Sequence, residues 1–259
     1  MSSVVFPGLM VLLINLDRSE HRRLQMERRL ADMGLAYTRL SAVDGKAHWS
    51  ELVTSVDVSL FERQVGRDLI AGEIGCFHSH LRAWKSLVDS DCHTLLVLED
   101  DVVFGPDFLP ALQLALEHRH RWDVLNLNKI RAKQAVRQAQ LGPYALNAYM
   151  GPLTGMGAYL ISRDTAQRLL PDMLPITLPI DLELDRVHRH RISRYGLEPF
   201  PSHVDDEDQS TITGQAFAGV RKHAWYRRMP TFKRRLRDLF AKQWYLLRTG
   251  QLFPEKNKP

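Results

Sequence analysis

The sequence predicts an α/β fold, a mostly parallel sheet with flanking helices, on three observations. Leu9–Leu16 is an unbroken apolar run, the pattern of a strand buried on both faces. A helical pattern and a second strand follow within the span of one βαβ unit, which implies a right-handed crossover. Helix-then-strand order returns twice more, over residues 72–98 and 108–127.

Each element has a local reason. Ser19 offers an N-cap; Met26, Leu30 and Met33 fall on one helical face, and Gly34 sits where a C-terminal stop belongs. Leu35–Val43 reads as a strand closing at Asp44-Gly45, and residues 46–70 as a helical insertion. Ile74, Phe77, Leu81, Trp84, Leu87 and Val88 keep helical spacing, and the apolar run Thr94–Leu98 stops abruptly at Glu99-Asp100-Asp101. Phe108–Glu117 follows as a helix and Trp122–Leu127 as a strand, and Arg131–Gln140 reads as a polar connection without regular structure. Gly151, Gly155 and Gly157 bracket a flexible approach to the strand Ala158–Ile161, after which Ser162 caps a helix through Leu170.

With 259 residues, 44% apolar and 25% charged, the chain is no disordered, collagenous or disulfide-stapled protein. Its net charge of +5 is unevenly placed: residues 221–259 hold 12 Lys/Arg against 2 acids, and residues 1–220 hold 23 against 28. Two parts are expected, a body over 1–220 and a basic tail over 221–259. Cys76 and Cys92 lack zinc-site spacing and suit a reducing compartment. Val4–Leu16 is too short to span a bilayer, has no basic lead and runs into Asp17, so it reads as a buried strand.

Three successive acids at the tip of a buried strand raise one another's pKa unless a cation neutralises them. Oxygen ligands suit Mn²⁺ or Mg²⁺, and ligands of open α/β sheets bind beyond the carboxyl ends of strands. A solvated turn whose acids cap the next segment is the alternative reading of this triplet. In an extended chain Glu99 and Asp101 would share one side and Asp100 the other.

Several separated motifs resemble glycosyltransferase family 25 in order and spacing. They are Ile14-Asn15-Leu16-Asp17-Arg18-Ser19 with Arg22-Arg23, Ala42-Val43-Asp44-Gly45, Gly72-Glu73-Ile74-Gly75-Cys76 with Ser79-His80 and Trp84, and Leu98-Glu99-Asp100-Asp101-Val102. Later blocks at Gly157–Ser162, Leu178–Asp181 and Ser210–Ile212 agree. The resemblance implies a GT-A-like, Rossmann-related fold and inverting transfer of a hexose, commonly galactose, from a UDP-sugar. The acceptor it implies is a glycan of the lipopolysaccharide or lipooligosaccharide outer core; animal relatives glycosylate collagen. It casts Glu99 and Asp101 as metal ligands, with Asp100 beside the donor. Asn15, Arg18, Arg22 and Asp44 would meet the nucleotide, and Ser79 and His80 the phosphates or metal shell, unless these last two are a cap and a core residue. Asp181 is the expected base, with Glu183 and Asp185 as alternatives. His203 and the acids Asp205–Asp208 would be late additions to the metal shell or an acidic loop. A non-catalytic nucleotide-sugar-binding protein, or a membrane or nucleic-acid adaptor, is the alternative function.

In the tail, Pro230 can start a helix whose stripe Phe232, Leu236, Leu239, Phe240, Trp244 and Leu247 lies beside six or more cations. Such a helix can lie on an anionic leaflet, each basic residue contributing on the order of 1 kcal/mol. The alternative is docking on the acidic body. No nucleic-acid module accompanies the charge. The expected location is the cytoplasmic face of a bacterial inner membrane.

Overall fold

The structure, a computed structural model, describes residues 4–205 and 222–254. β1 (Leu9–Asn15) leads into α1 (Glu20–Met33), where the amides of Gly34 and Leu35 close on the Ala31 and Leu30 carbonyls with Gly34 left-handed. β2 (Thr38–Ser41) follows, then the helical insertion α2 (Trp49–Leu52) and α3 (Val58–Val65), and the long α4 (Ala71–Val88). β3 (Thr94–Glu99), β4 (Val102–Phe104), α5 (Phe108–Glu117) and β5 (Val124–Asn126) complete the first half.

The second half opens with β6 (Arg131–Ala132), the hairpin β7 (Ala135–Leu141) and β8 (Tyr144–Tyr149), and β9 (Leu153–Thr154). β10 (Ala158–Ser162) enters α6 (Arg163–Leu169), whose Thr165 amide is capped by Ser162 Oγ as the sequence predicts. α7 (Ile180–Leu184), α8 (Val187–His190), β11 (Arg194–Glu198), β12 (Ser202–Val204) and α9 (Met229–Arg248) follow.

The main sheet runs β2-β1-β3-β10-β5-β11-β8-β7. It is parallel across β2, β1 and β3 and again between β5 and β11, while β10 is antiparallel to β3 and β5 and β8 to β11 and β7. The direction of β10 has a consequence for the site. It starts where β3 ends, so the Gly151–Gly157 approach lies at the carboxyl edge of β3 and β5, where Glu99 N donates to the Gly157 carbonyl (2.7 Å). Helices cover both faces. Leu96, Leu98 and Leu160 pack with α1 and α5 on one side, and Leu95, Val97, Tyr159 and Ile161 with Trp84 and α6 on the other.

The expectation of an irregular Arg131–Gln140 is corrected: Ala135–Leu141 is an edge strand. Val136, Ala139 and Leu141 are its buried residues, and the register shifts between Arg137 and Ala139. That extra residue breaks the two-residue alternation by which a half-buried strand is recognised.

α9 packs on α3 and α8 through Thr231, Arg234, Lys242 and Leu246. The apolar stripe foreseen in the sequence exists, on the opposite and solvent-facing side. No helix among the described residues is long and apolar enough to cross a membrane.

Candidate active site

The acid triplet does not continue the strand. β3 ends at Glu99, and Asp100 and Asp101 lie in a turn before β4, so each carboxylate has its own surroundings. Asp100 accepts from Asn15 Nδ2 (2.7 Å) and Arg22 Nη1 (3.3 Å). Asn15 also donates to the Ser19 carbonyl (3.1 Å) and accepts from Arg39 Nε (3.1 Å), which ties the start of α1 to the tip of β1 although the Ser19 side chain caps nothing. Burial raises the Asp100 pKa, with Asn15 and Arg22 opposing it.

Asp101 is the strained member. Its Oδ1 is buried and, among the described residues, has no hydrogen-bond partner. Burial first, then the charges of Glu99 and Asp100, push its pKa up to about 7. Glu99 is oriented instead: Oε1 lies 3.2 Å from His80 Nε2 and 3.9 Å from Cys76 Sγ. His80 Nδ1 lies 2.9 Å from the Tyr159 hydroxyl, to which Trp84 Nε1 also donates (2.8 Å). One proton assignment satisfies the chain: Tyr159 O–H donates to Nδ1, and Nε2–H donates to Glu99. Cys76 is a core thiol pushed up by burial, not a nucleophile. His78 turns away to Ser55 Oγ (2.8 Å).

Past the ends of β1 and β2, a cleft of about 320 Å³ is lined by Asp17, Arg18, Ser41, Asp44 and Arg82, with Arg18 and Asp44 ion-paired. Asp44 also accepts from the amides of Lys46 (2.9 Å) and Ala47 (3.3 Å), fixing the turn. Two glycines let that turn press on α4: a Cβ on Gly75 would stand 2.4 Å from the Val43 carbonyl oxygen, and one on Gly45 1.8 Å from that of Ala71. Ser79, expected at the phosphates, spends its hydroxyl here, donating to the Gly75 carbonyl (2.7 Å) and accepting from Val43 N (2.8 Å). It shapes the cleft floor from beneath. Gly75→Ala should lower unfolding stability by about 1–3 kcal/mol in urea melts, since backbone must move to admit the methyl group.

Three acids on and just after α7 were open as the base, and their partners separate them. Glu183 is enclosed by Arg186 (3.3 Å), Arg189 (2.9 Å) and His190 (2.9 Å), which hold its pKa down against burial. Asp185 accepts from Lys242 Nζ (2.6 Å) and Leu153 N (3.0 Å). Among the described residues, the Asp181 carboxylate accepts from the Leu182 amide (2.8 Å) alone. Burial lifts its pKa, Arg194 opposes, and the charges of Asp185 and Glu99 add, which puts Asp181 in the field of the acid tip.

Arg194 and Asn128 were missed by sequence reasoning. Arg194 is buried, donating to the Asp181 carbonyl (3.1 Å) and to Asn126 Oδ1 (3.0 Å), while Asn126 Nδ2 reaches the Gly155 carbonyl (2.7 Å). Asn128 is fully buried, both side-chain polar atoms unpartnered among the described residues, beside Gly157. Polar residues inside otherwise apolar strand runs were the available signal. Of the late block, Asp205 N donates to the Asp101 carbonyl (2.8 Å) and its carboxylate accepts from Arg29 (2.7 Å). His203 is exposed. Asp206–Asp208 and Ser210–Ile212 lie outside the described residues.

The sequence profile of Glycosyltransferase family 25 (LPS biosynthesis protein) matches residues 9–184, a stretch that runs from β1 to the end of α7. The chain belongs to glycosyltransferase family 25. Its mixed sheet with helices on both faces is of the α/β class that the sequence predicts. Procollagen galactosyltransferase 1 of Danio rerio is 31% identical over 79% of this chain and 35% of its own length. Procollagen galactosyltransferase 2 of Homo sapiens is 26% identical over 83% and 40%. A glycosyltransferase 25 family member of Aedes aegypti is 29% identical over 66% and 29%. This family 25 chain therefore spans about a third of the length of these relatives, and the profile-matched stretch 9–184 carries the cleft, the acid turn and Asp181.

Proposed function

We propose that the chain transfers a hexose, galactose in the first instance, from a UDP-sugar to a hydroxyl of a lipopolysaccharide or lipooligosaccharide outer-core glycan, with inversion at the sugar carbon. Support for hexosyl transfer comes from family membership and the galactosyltransferases among the relatives; the family's description as lipopolysaccharide biosynthesis proteins supports the lipopolysaccharide acceptor. Unpaired Cys76 and Cys92 suit a cytoplasmic setting.

The observation that carries the reading is the buried Asp101 carboxylate oxygen at the carboxyl edge of the sheet, without a hydrogen-bond partner among the described residues. Such an atom needs a proton or a cation. Asp101 with Glu99 would hold Mn²⁺ or Mg²⁺, which when bound supplies positive charge to the departing diphosphate. Asp100, clamped by Asn15 and Arg22, faces the same donor. Arg18 and Asp44 border the cleft in which the nucleotide would sit, and their pairing opens to admit it. Asp181 takes the proton from the acceptor hydroxyl as its oxygen attacks, because its raised proton affinity brings it nearer working pH.

The test is release of UDP from a panel of UDP-hexoses by the full chain, with Mn²⁺ and a truncated lipopolysaccharide acceptor; no release from any donor would refute the reading. Metal binding adds a second measure. A proton on Asp101 competes with the ion, so Mn²⁺ affinity in calorimetry should climb roughly tenfold per pH unit up to about 7 and then level off.

A further inference from the structure

We infer that the outward face of α9 is a docking surface for an anionic lipid bilayer. The helix has two faces of opposite character, arranged against the usual rule. Its charged and polar side docks on the body: Lys242 Nζ donates to Asp185 (2.6 Å) and to the Gly151 carbonyl (2.8 Å), Arg234 Nε donates to the Gln64 carbonyl (3.2 Å), and Thr231 Oγ1 donates to the Arg63 carbonyl (3.0 Å). The apolar side is left in water, with Phe232, Leu236, Phe240, Trp244 and Leu247 forming one stripe in which Phe240 is 62% and Trp244 60% exposed. Trp225 and Tyr226 extend it toward the preceding turn.

A patch of this kind marks an interaction site, and its charge selects the occupant. Arg227, Lys233, Arg235, Arg237 and Arg248 are exposed around the stripe. The one acid among residues 222–254, Asp238, is turned inward between Arg234 and Arg186. Pairing of this face with the same face of a second copy would bring like charges together. An anionic leaflet instead meets both demands, accepting aromatic and aliphatic groups at the headgroup boundary and cations at the phosphates. Since the inner side of α9 grips Asp185 and Gly151, the helix then lies between the leaflet and the loop that leads to Gly157. A lipid-anchored acceptor is brought beside the site. The surface itself is independent of the proposed transfer chemistry.

The experiment is sedimentation of the full chain with vesicles of phosphatidylethanolamine and phosphatidylglycerol, and with phosphatidylcholine vesicles, over a salt series. Roughly tenfold stronger binding to the anionic vesicles is expected, weakening with salt. F240S/W244S should reduce it about tenfold while donor hydrolysis without vesicles stays unchanged, which shows the variant is folded. Binding that survives F240S/W244S, or equal binding to neutral vesicles, overturns the proposal. So does a dimer in sedimentation velocity that the same pair of substitutions dissolves, or a nucleic-acid complex with no vesicle binding.

Discussion

Asp101→Asn should cut Mn²⁺-dependent donor turnover by at least about a hundredfold while making the metal-free protein more stable above neutral pH. The two effects share one cause. In the folded chain burial and the neighbouring Glu99 and Asp100 raise the Asp101 pKa to about 7, whereas unfolded it returns to the ordinary carboxylate range. The fold therefore binds that proton more tightly than the unfolded chain does. Its contribution is fully present below about pH 4 and is lost as pH rises toward 7. An amide never ionises, so the variant escapes that loss. Urea melts should show the variant more stable by about 1–3 kcal/mol at pH 8 and little different at pH 4. A variant that keeps its turnover and gains no stability at pH 8 would remove Asp101 from the centre of the site.

Asp181→Asn should lower kcat by about 10²- to 10⁴-fold, the usual range for loss of a positioned proton acceptor. KM for the donor and Mn²⁺ affinity should change little, because among the described residues the hydrogen bonds of the Asp181 carboxylate and carbonyl are to Leu182 and Arg194 rather than to the acid turn or the cleft. Glu183→Gln is the internal contrast. Its charge neutralises Arg186, Arg189 and His190 in a buried cluster, so that change should appear in melting curves, with kcat of the folded fraction kept near wild type. Steady-state kinetics beside denaturation separates the pair. Equal loss of kcat in both variants would deny Asp181 its special place.

The central strands were legible because burial on both faces leaves an unbroken apolar run: Thr94–Leu98 stands one residue short of β3, and Phe108–Glu117 coincides with α5. Strand direction was not legible. The composition of Ala158–Ile161 is the same whichever way β10 runs, and its direction is set by where the chain re-enters the sheet, beside the end of β3. In the site, residue types were readable and their partners were not. Ser79 and His80 are adjacent in sequence, yet one braces Val43 and the other orients Glu99. Glu183 and Asp185 looked equivalent to Asp181 until cations from Arg189 and the distant Lys242 claimed them. Periodicity exposed the apolar stripe of α9 but said nothing about which side meets the body, since that is decided by Asp185 and Gly151 on other elements.

Strand β3 ends in Glu99 and leads into the acid turn, with β1 bonded along one flank and β10 along the other, in the interior of the eight-stranded sheet. Fraying begins at peripheral pieces such as the β7 margin, which has a neighbour on one side only. The acid turn is thus fastened to the interior of the sheet. Warming or mild denaturant should shed edge order first, with the acid turn holding its shape until the whole molecule gives way.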